Sequence, residues 1–256
     1  MSESIPSWPR EYFSQPGGEP FLFYVVYGQF DQEFRISDQK YRCTGVPDGL
    51  EIMQYGPRKR PEVVSTFRDG YLWDELKHEN AGLASAIEQQ THCTILRGNF
   101  ADIDTLDDFR NTIGLITYLL DSGGLAVYDP QMFAWWSPAE WHDDVFAPGQ
   151  PVPRTHVKIL FSADEDGEWF HTRGMRKFGR PDLSIPAVPA RYRDAVMDLC
   201  NRFIEFQAFG GVIAEGEEIR LKSLPSGMRC THKGSLDDPD FNNVHVEIVW
   251  PKAIRT

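Results

Sequence analysis

Apolar residues run unbroken from Phe21 to Tyr27, which reads as a strand, and a second strand is expected near Leu50–Gln54 inside a turn-rich stretch. The period then changes. Leu72, Leu76, Leu83 and Ile87 recur at helical spacing as far as Gln90, and His92–Leu96 follows as a short strand. The clearest helix of this half covers about 105–121, where Leu106, Phe109, Ile113, Ile116 and Leu120 form one stripe. Thr105 or Asp104 can cap it, and Asp107 and Asp108 suit the positive end of its dipole. Gly123-Gly124 stops it, and Leu125–Tyr128 reads as a buried strand. Strand, helix and strand within about 37 residues suggest a right-handed βαβ crossover. Ser137-Pro-Ala-Glu140 carries capping-box spacing with proline at the first helical position, so a short helix opens there.

Three prolines and a glycine within Pro148–Pro153 mark an exposed connection, because proline cannot donate to a ladder and keeps its predecessor out of the helical region. Beyond it a hairpin is expected: Val157, Ile159 and Phe161 alternate, Asp164–Gly167 turns, and Glu168–Arg173 returns. Pro189 opens the second strong helix, about 189–209. Tyr192, Val196, Leu199, Phe203 and Phe206 lie on its apolar face, Arg191, Asp194, Asp198, Arg202 and Glu205 lie largely outside, and Gly210-Gly211 ends it. In the last strand Val244, Val246, Ile248 and Trp250 alternate with Asn243, His245, Glu247 and Val249, which predicts an apolar face and a solvated one. The sum is an α+β protein: mixed β-sheets packed with two main amphipathic helices. Length divided by 150 is about 1.7, so the expected division is an acidic α/β subdomain over 1–147 and a hairpin–helix–strand subdomain over 154–256, or one continuous domain.

Composition adds what patterning leaves open. With 41% apolar and 25% charged residues the chain belongs to the globular class. A chain of 256 residues buries roughly 70–75% of its unfolded surface, so neither metal nor disulfides are needed to hold it. Cys43, Cys93, Cys200 and Cys230 are far apart with no CxxC, and are expected as free thiols, mostly core, in a reducing cytoplasm. The N-terminal residues lack a basic segment followed by an apolar one, so no secretory signal is expected. The longest apolar runs fall well short of the roughly 20 residues that span a bilayer. A soluble cytoplasmic protein without cofactor is the expectation.

The formal charge of -12 makes nucleic acid an improbable partner, since phosphate binding is supplied by clustered Lys and Arg. Residues 1–150 hold 11 basic and 23 acidic side chains, whereas residues 151–256 hold 15 of each. Between Asn99 and Gln150 one base, Arg110, stands against nine acids, among them Asp102, Asp107, Asp108, Asp143 and Asp144.

Three constellations can carry chemistry. Arg173, Arg176, Lys177 and Arg180 fall within eight residues with two glycines and no acid, which suits an anion cradle; the simpler expectation is pairing with the acidic half of the same chain. His245 and Glu247 share a strand face and can act as base and orienter, with His171 as another base, or His232, Asp240 and His245 can ligate a metal; the simpler expectation is a solvated strand face. Trp135, Trp136 and Trp141, beside Asp143 and Asp144, offer a partner surface if exposed and core filling if not. The sequence has no Walker A loop, no GxGxxG after a strand, no GxSxG elbow and no HExxH, so nucleotide, dinucleotide and hydrolase-elbow chemistry lack local support.

The run Thr172-Arg-Gly-Met-Arg-Lys-Phe-Gly-Arg-Pro-Asp-Leu183, followed by an amphipathic helix, resembles a motif of bacterial families of unknown function, and the Ser223–Gly227 loop and the Asp237–Trp250 segment fit it. The resemblance covers about residues 155–250. Such families are similar in setting to proteins of bacterial toxin–immunity and stress loci, and they bring no catalytic residues. Two functions are therefore expected in this order: a non-catalytic, immunity-like module whose acidic surface, including Asp107, Asp108, Asp143 and Asp144, meets a basic protein partner; or a hydrolase acting on an anionic substrate, with Arg173 and Arg176 as clamps and His171 or His245 as base.

Overall fold

The computed structural model describes residues 5–30, 38–164 and 166–251. Among them the chain forms two units. The first comprises residues up to Pro9 with Phe21–Phe100 and Thr105–Val152, and the second comprises Arg10–Pro20, Ala101–Asp104 and the residues from Pro153 onward. The chain enters the second unit for good at Val152/Pro153, inside the proline-rich stretch. Two segments from the first half of the sequence also fold with the second unit, which changes the charge division. The first unit's residues carry 10 bases and 19 acids, -9, and the second unit's carry 16 and 19, -3.

Five strands of the first unit, β1 (Phe21–Tyr27), β2 (Leu50–Tyr55), β3 (Cys93–Asn99), β4 (Ala126–Asp129) and β5 (Ala134–Trp136), form an antiparallel sheet in the order β2-β3-β1-β4-β5. Both β3 and β4 run antiparallel to β1 and are therefore parallel to each other, with β1 between them. The βαβ crossover is present in split form.

The helices of this unit are the short α1 (Asp38–Tyr41) and α2 (Pro61–Ser65), the pair α3 (Tyr71–Glu79) and α4 (Ala81–Glu88), then α5 (Asp107–Asp121) and the short α6 (Pro138–Glu140). The single periodic run from Leu72 to Ile87 is two helices because Asn80 leaves the helical region at φ -141° and its side chain accepts from Leu83 N, capping α4. Trp73, Leu76, Ala84 and Ile87 pack with Val25, Tyr27, Cys93, Ile95 and Tyr128 on one face of the sheet. Tyr24, of opposite parity on β1, meets Trp141 edge-on, and Trp141 Nε1 donates to Thr117 of α5. Helix α5 is buried at 11 of its 15 residues, so it is enclosed rather than two-faced. It starts at Asp107 without a side-chain cap, and neither Asp104 nor Thr105 fills that role.

The second unit carries β6 (Lys158–Asp164), β7 (Gly167–Arg173), β8 (Asp182–Val188), β9 (Glu218–Ile219), β10 (Met228–Ser235) and β11 (Asn243–Val249) in the order β6-β7-β8-β11-β10-β9. All pairs are antiparallel except β8 with β11. The β6–β7 hairpin forms as patterned; Glu165 of its turn lies outside the described residues. Helix α7 (Arg193–Ala208), entered through a 3-10 turn at Ala190–Tyr192, lays Val196, Leu199, Cys200 and Phe203 on Phe170, Leu183, Ile185, Met228, Cys230, Val246 and Ile248. Burying those side chains contributes about 1.5–3 kcal/mol each. Phe206, expected on the buried face, is 39% exposed and lies against Tyr12. No described helix is long and apolar enough to cross a membrane.

Candidate functional site

Because α7 covers one face of the second sheet, the residues of opposite parity line the other. Cross-strand pairing makes them neighbours: His171 stands opposite Ser184, Glu247 opposite Ser184, His245 opposite Asp182, and Lys233 opposite His245. This face is not the solvated one that alternation predicts. Asn243, His245, His171, Ser184 and Asp182 are buried, and Val244 of the supposed apolar set is exposed. The cause is the Leu236–Asn242 segment, whose Phe241 stacks on His245 at 4.2 Å and meets His171 edge-on at 5.6 Å. Trp169 stacks on His171 at 4.1 Å and donates from Nε1 to Ser184 Oγ.

Burial pushes the His171 imidazole down to about 4, with the Arg173 charge acting in the same sense, and burial also lowers His245. Both rings are therefore neutral bases near pH 7. Each keeps a buried Nδ1 with no hydrogen-bond partner; the Asp238 carboxylate is 3.9 Å from that of His245. Glu247 is paired with Lys233 at 2.6 Å rather than with His245.

At one end of this face lies a carboxylate completely shielded from solvent. Asp182 Oδ1 accepts from Thr172 Oγ1 and Met175 N, and Oδ2 accepts from Asn243 Nδ2. Thr172 Oγ1 in turn accepts from Leu183 N, and Asn243 Nδ2 also donates to Arg180 O. Burial raises Asp182 to about 6, against those hydrogen bonds, which favour the ionised form. The network ties β7, β8, β11 and the turn after β7 together.

The basic run Arg173–Arg180 is turned inward. Its Met175–Phe178 stretch is a 3-10 turn between Gly174 and Gly179, both at positive φ, and Gly179 comes so close to Gly18 that a Cβ would stand 2.1 Å from Gly18 O. Arg173 donates to Asp240 O, Arg176 to Asn242 O and Lys177 Nζ to His156 O. Arg180 donates to the carbonyls of Gly211, Gly179, Gly210 and Ser14 and to Asp102 Oδ1. Arg173, Lys177 and Arg180 are buried, and Arg176 is half-buried. Asp102 also accepts from Arg10 at 2.7 Å, so one carboxylate bridges two guanidiniums. The acid comes from the acidic segment, as intramolecular pairing anticipates, but it belongs to the second unit itself.

In the first unit the expected partner surface is divided. Asp107 accepts from Ser7 Oγ, Trp8 N and Arg110, and Asp108 is half-buried and raised by burial and by Asp107 and Asp48. Trp141 is fully buried, and Trp135 is stacked on Tyr128 at 4.2 Å. Trp136 is half-buried, whereas Glu140, Asp143 and Asp144 are exposed.

His232, Asp240 and His245 do not converge. Register places His232 opposite Val246 on the α7 face of β10, where its Nε2 meets Ile213 O, while His245 lies opposite Lys233 on the other face. No group of three or more His, Cys, Asp or Glu among the described residues is placed to hold a metal ion. The four cysteines are free and buried, and burial raises Cys93 and Cys230 to about 11 and Cys200 to about 12, which keeps those three as neutral thiols near pH 7. Comparison with protein-family models, with curated proteins and with solved structures gives no match.

Sequence reasoning passed over two features. Arg10 gives no local signal, because its partner lies 92 residues away. The basic triplet Arg58-Lys59-Arg60 was legible as three consecutive cations in the acidic half, and two of them line a cleft.

Proposed function

We propose that the protein acts by binding, as an immunity-like module whose acidic turn Glu140–Asp144 meets a basic protein partner. The supporting observation is that these acids are exposed on a fixed mount. The Ser137–Glu140 capping box is formed in both directions, and the wholly buried Trp141 anchors the following π-helical turn to α5. No Lys or Arg among the described residues pairs with Glu140, Asp143 or Asp144; Asp143 has only His142 beside it. A surface ordered beforehand spares a partner the entropy of ordering it, and complementary potential speeds encounter. Trp136, half-buried next to the turn, supplies apolar area of the kind that anchors interfaces. Pull-down with cross-linking from the native host tests the reading. Reversal of the two acids outside the capping box, Asp143→Lys and Asp144→Lys, is expected to abolish capture of the partner while the melting temperature stays the same. Undiminished capture refutes it.

A second reading, hydrolysis of an anionic substrate, is favoured by the convergence of His171, Ser184, His245 and Glu247 on one sheet face. It requires the Leu236–Asn242 segment to lift, since Arg173 and Arg176, the proposed clamps, are held by the carbonyls of that segment. Nitrophenyl phosphate and carboxylate esters provide the assay. Turnover that persists in a His171→Ala, His245→Ala double variant removes this reading.

A further inference from the structure

At one end of the first sheet, the C-terminal ends of β1 and β2 flank the start of β3, because Tyr27 and Tyr55 both pair with Cys93. Beyond this end the chain turns sharply at Gly56–Lys59, closed by reciprocal backbone bonds of 3.0 and 2.9 Å. A cleft of about 640 Å³ opens there, lined by Gln29, Gln54, Tyr55, Arg58, Lys59 and His92 among others. Its size falls within the range that takes small organic ligands, about 300–1,000 Å³. The imidazole of His92 lies against Gly56, where a Cβ would stand 2.3 Å from Cδ2, and its Nδ1 is in contact with Thr91 Oγ1 at 2.9 Å. That contact holds the Nδ1 edge of the ring.

The charge of the cleft opposes that of its surroundings. The unit carries a net -9, yet among the described residues no carboxylate lines the cleft, and two adjacent cations do. Arg58 has no ion-pair or hydrogen-bond partner among the described residues, and Lys59 Nζ has only the Tyr55 ring, 5.9 Å from its centroid. Arg60, next in sequence, is occupied by Glu62. Two uncommitted cations side by side match a dianion, and an arginine fork suits phosphate oxygens. Tyr55 and Phe30 offer ring surface, and the amides of Gln29 and Gln54 present both donors and acceptors to a polar edge.

We propose that this cleft binds a small phosphate monoester carried on a flat, hydrogen-bonding ring, with Arg58 and Lys59 on the phosphate and Tyr55, Gln54 and Gln29 on the ring. The class is that of a nucleoside monophosphate, and the site is separate from the acidic turn. Isothermal titration of the full chain with the four ribonucleoside 5′-monophosphates, their nucleosides and inorganic phosphate tests it. At least one monophosphate is expected to bind saturably, at least 10-fold tighter than its nucleoside, and to be displaced by inorganic phosphate. The exposed pair Arg58→Gln, Lys59→Gln is expected to weaken that binding 10-fold or more at unchanged melting temperature, while Arg60→Gln leaves it intact. Absence of saturable binding for all four monophosphates overturns the proposal. So does equal affinity for nucleoside and monophosphate, or binding indifferent to the double substitution.

Discussion

Arg180 and Asp102, 78 positions apart in sequence, meet at 2.9 Å between Nη1 and Oδ1, each almost withdrawn from solvent. The acid that answers the basic loop is thus taken from the acidic stretch and built into the unit that holds the loop. Arg10 completes the triad, and Gly17 is the residue that lets it close: a Cβ there would stand 1.8 Å from Arg180 Nη1. Two guanidiniums on one carboxylate repel each other, and burial opposes both, so the assembly persists because backbone carbonyls absorb the remaining donors.

Removing that carboxylate leaves two buried cations facing each other. Asp102→Ala is expected to lower the stability of the second unit by about 3–5 kcal/mol, and Gly17→Ala to destabilise it as well by forcing the triad apart. Urea unfolding of each variant measures both; a loss below about 1 kcal/mol for Asp102→Ala would mean that the carbonyls alone satisfy the guanidiniums.

His171 binds its proton only near pH 4 when folded and near pH 6.5 when unfolded. A depressed imidazole pKa means the unfolded chain takes the proton first, so stability is lost as pH falls from about 6.5 to about 4 and is unaffected above that window. His171→Phe keeps a ring against Trp169 and Phe241 and is expected to reduce this loss by on the order of 2–3 kcal/mol. Denaturant titrations of both proteins at pH 4.5 and 7 give the comparison, and parallel pH profiles would refute it.

Asp182 has the opposite sign. Its folded pKa of about 6 lies above the unfolded carboxyl value near 3.9, so its protonated form favours the fold and that contribution fades as pH rises from about 4 through 6. Asp182→Asn removes the titration but sets its new amide donor toward Asn243 Nδ2. The variant is expected to be less stable at every pH and flatter between pH 4 and 6. A slope equal to that of the parent protein in that window would show that another group titrates there.

The parts of the fold that were legible in the sequence are those set by local spacing. The existence and extent of α5 and α7, the β6–β7 hairpin and the capping box at Ser137 follow from residues within a few positions of one another. Strand order was not legible, because insertion of β1 between β3 and β4 is decided by pairings about 70 and 100 residues apart. For the same reason the Asn243–Glu247 face read as solvated: alternation reports which residues share a side, while Phe241 and the two arginine bonds to its segment decide that the side is covered. The tryptophan cluster was ambiguous because composition cannot separate a ring that fills a core from one that faces a partner.

Trp141 joins the fold to the proposed binding surface. Its indole is fully buried against Tyr24, and its Nε1 donates to Thr117 Oγ1, which itself donates to Ile113 O within α5. Trp141→Phe removes one hydrogen bond while keeping most of the ring, and is expected to cost about 1 kcal/mol. Trp141→Ala opens a cavity beneath the acidic turn and is expected to cost about 3–5 kcal/mol. If the turn is the partner surface, Trp141→Phe should retain partner capture, because Asp143 and Asp144 keep their mount. Trp141→Ala should weaken capture even at temperatures where circular dichroism shows the protein folded, since the acids then sit on a loosened turn and ordering them falls to the complex. Full capture by folded Trp141→Ala would place the partner elsewhere on the molecule.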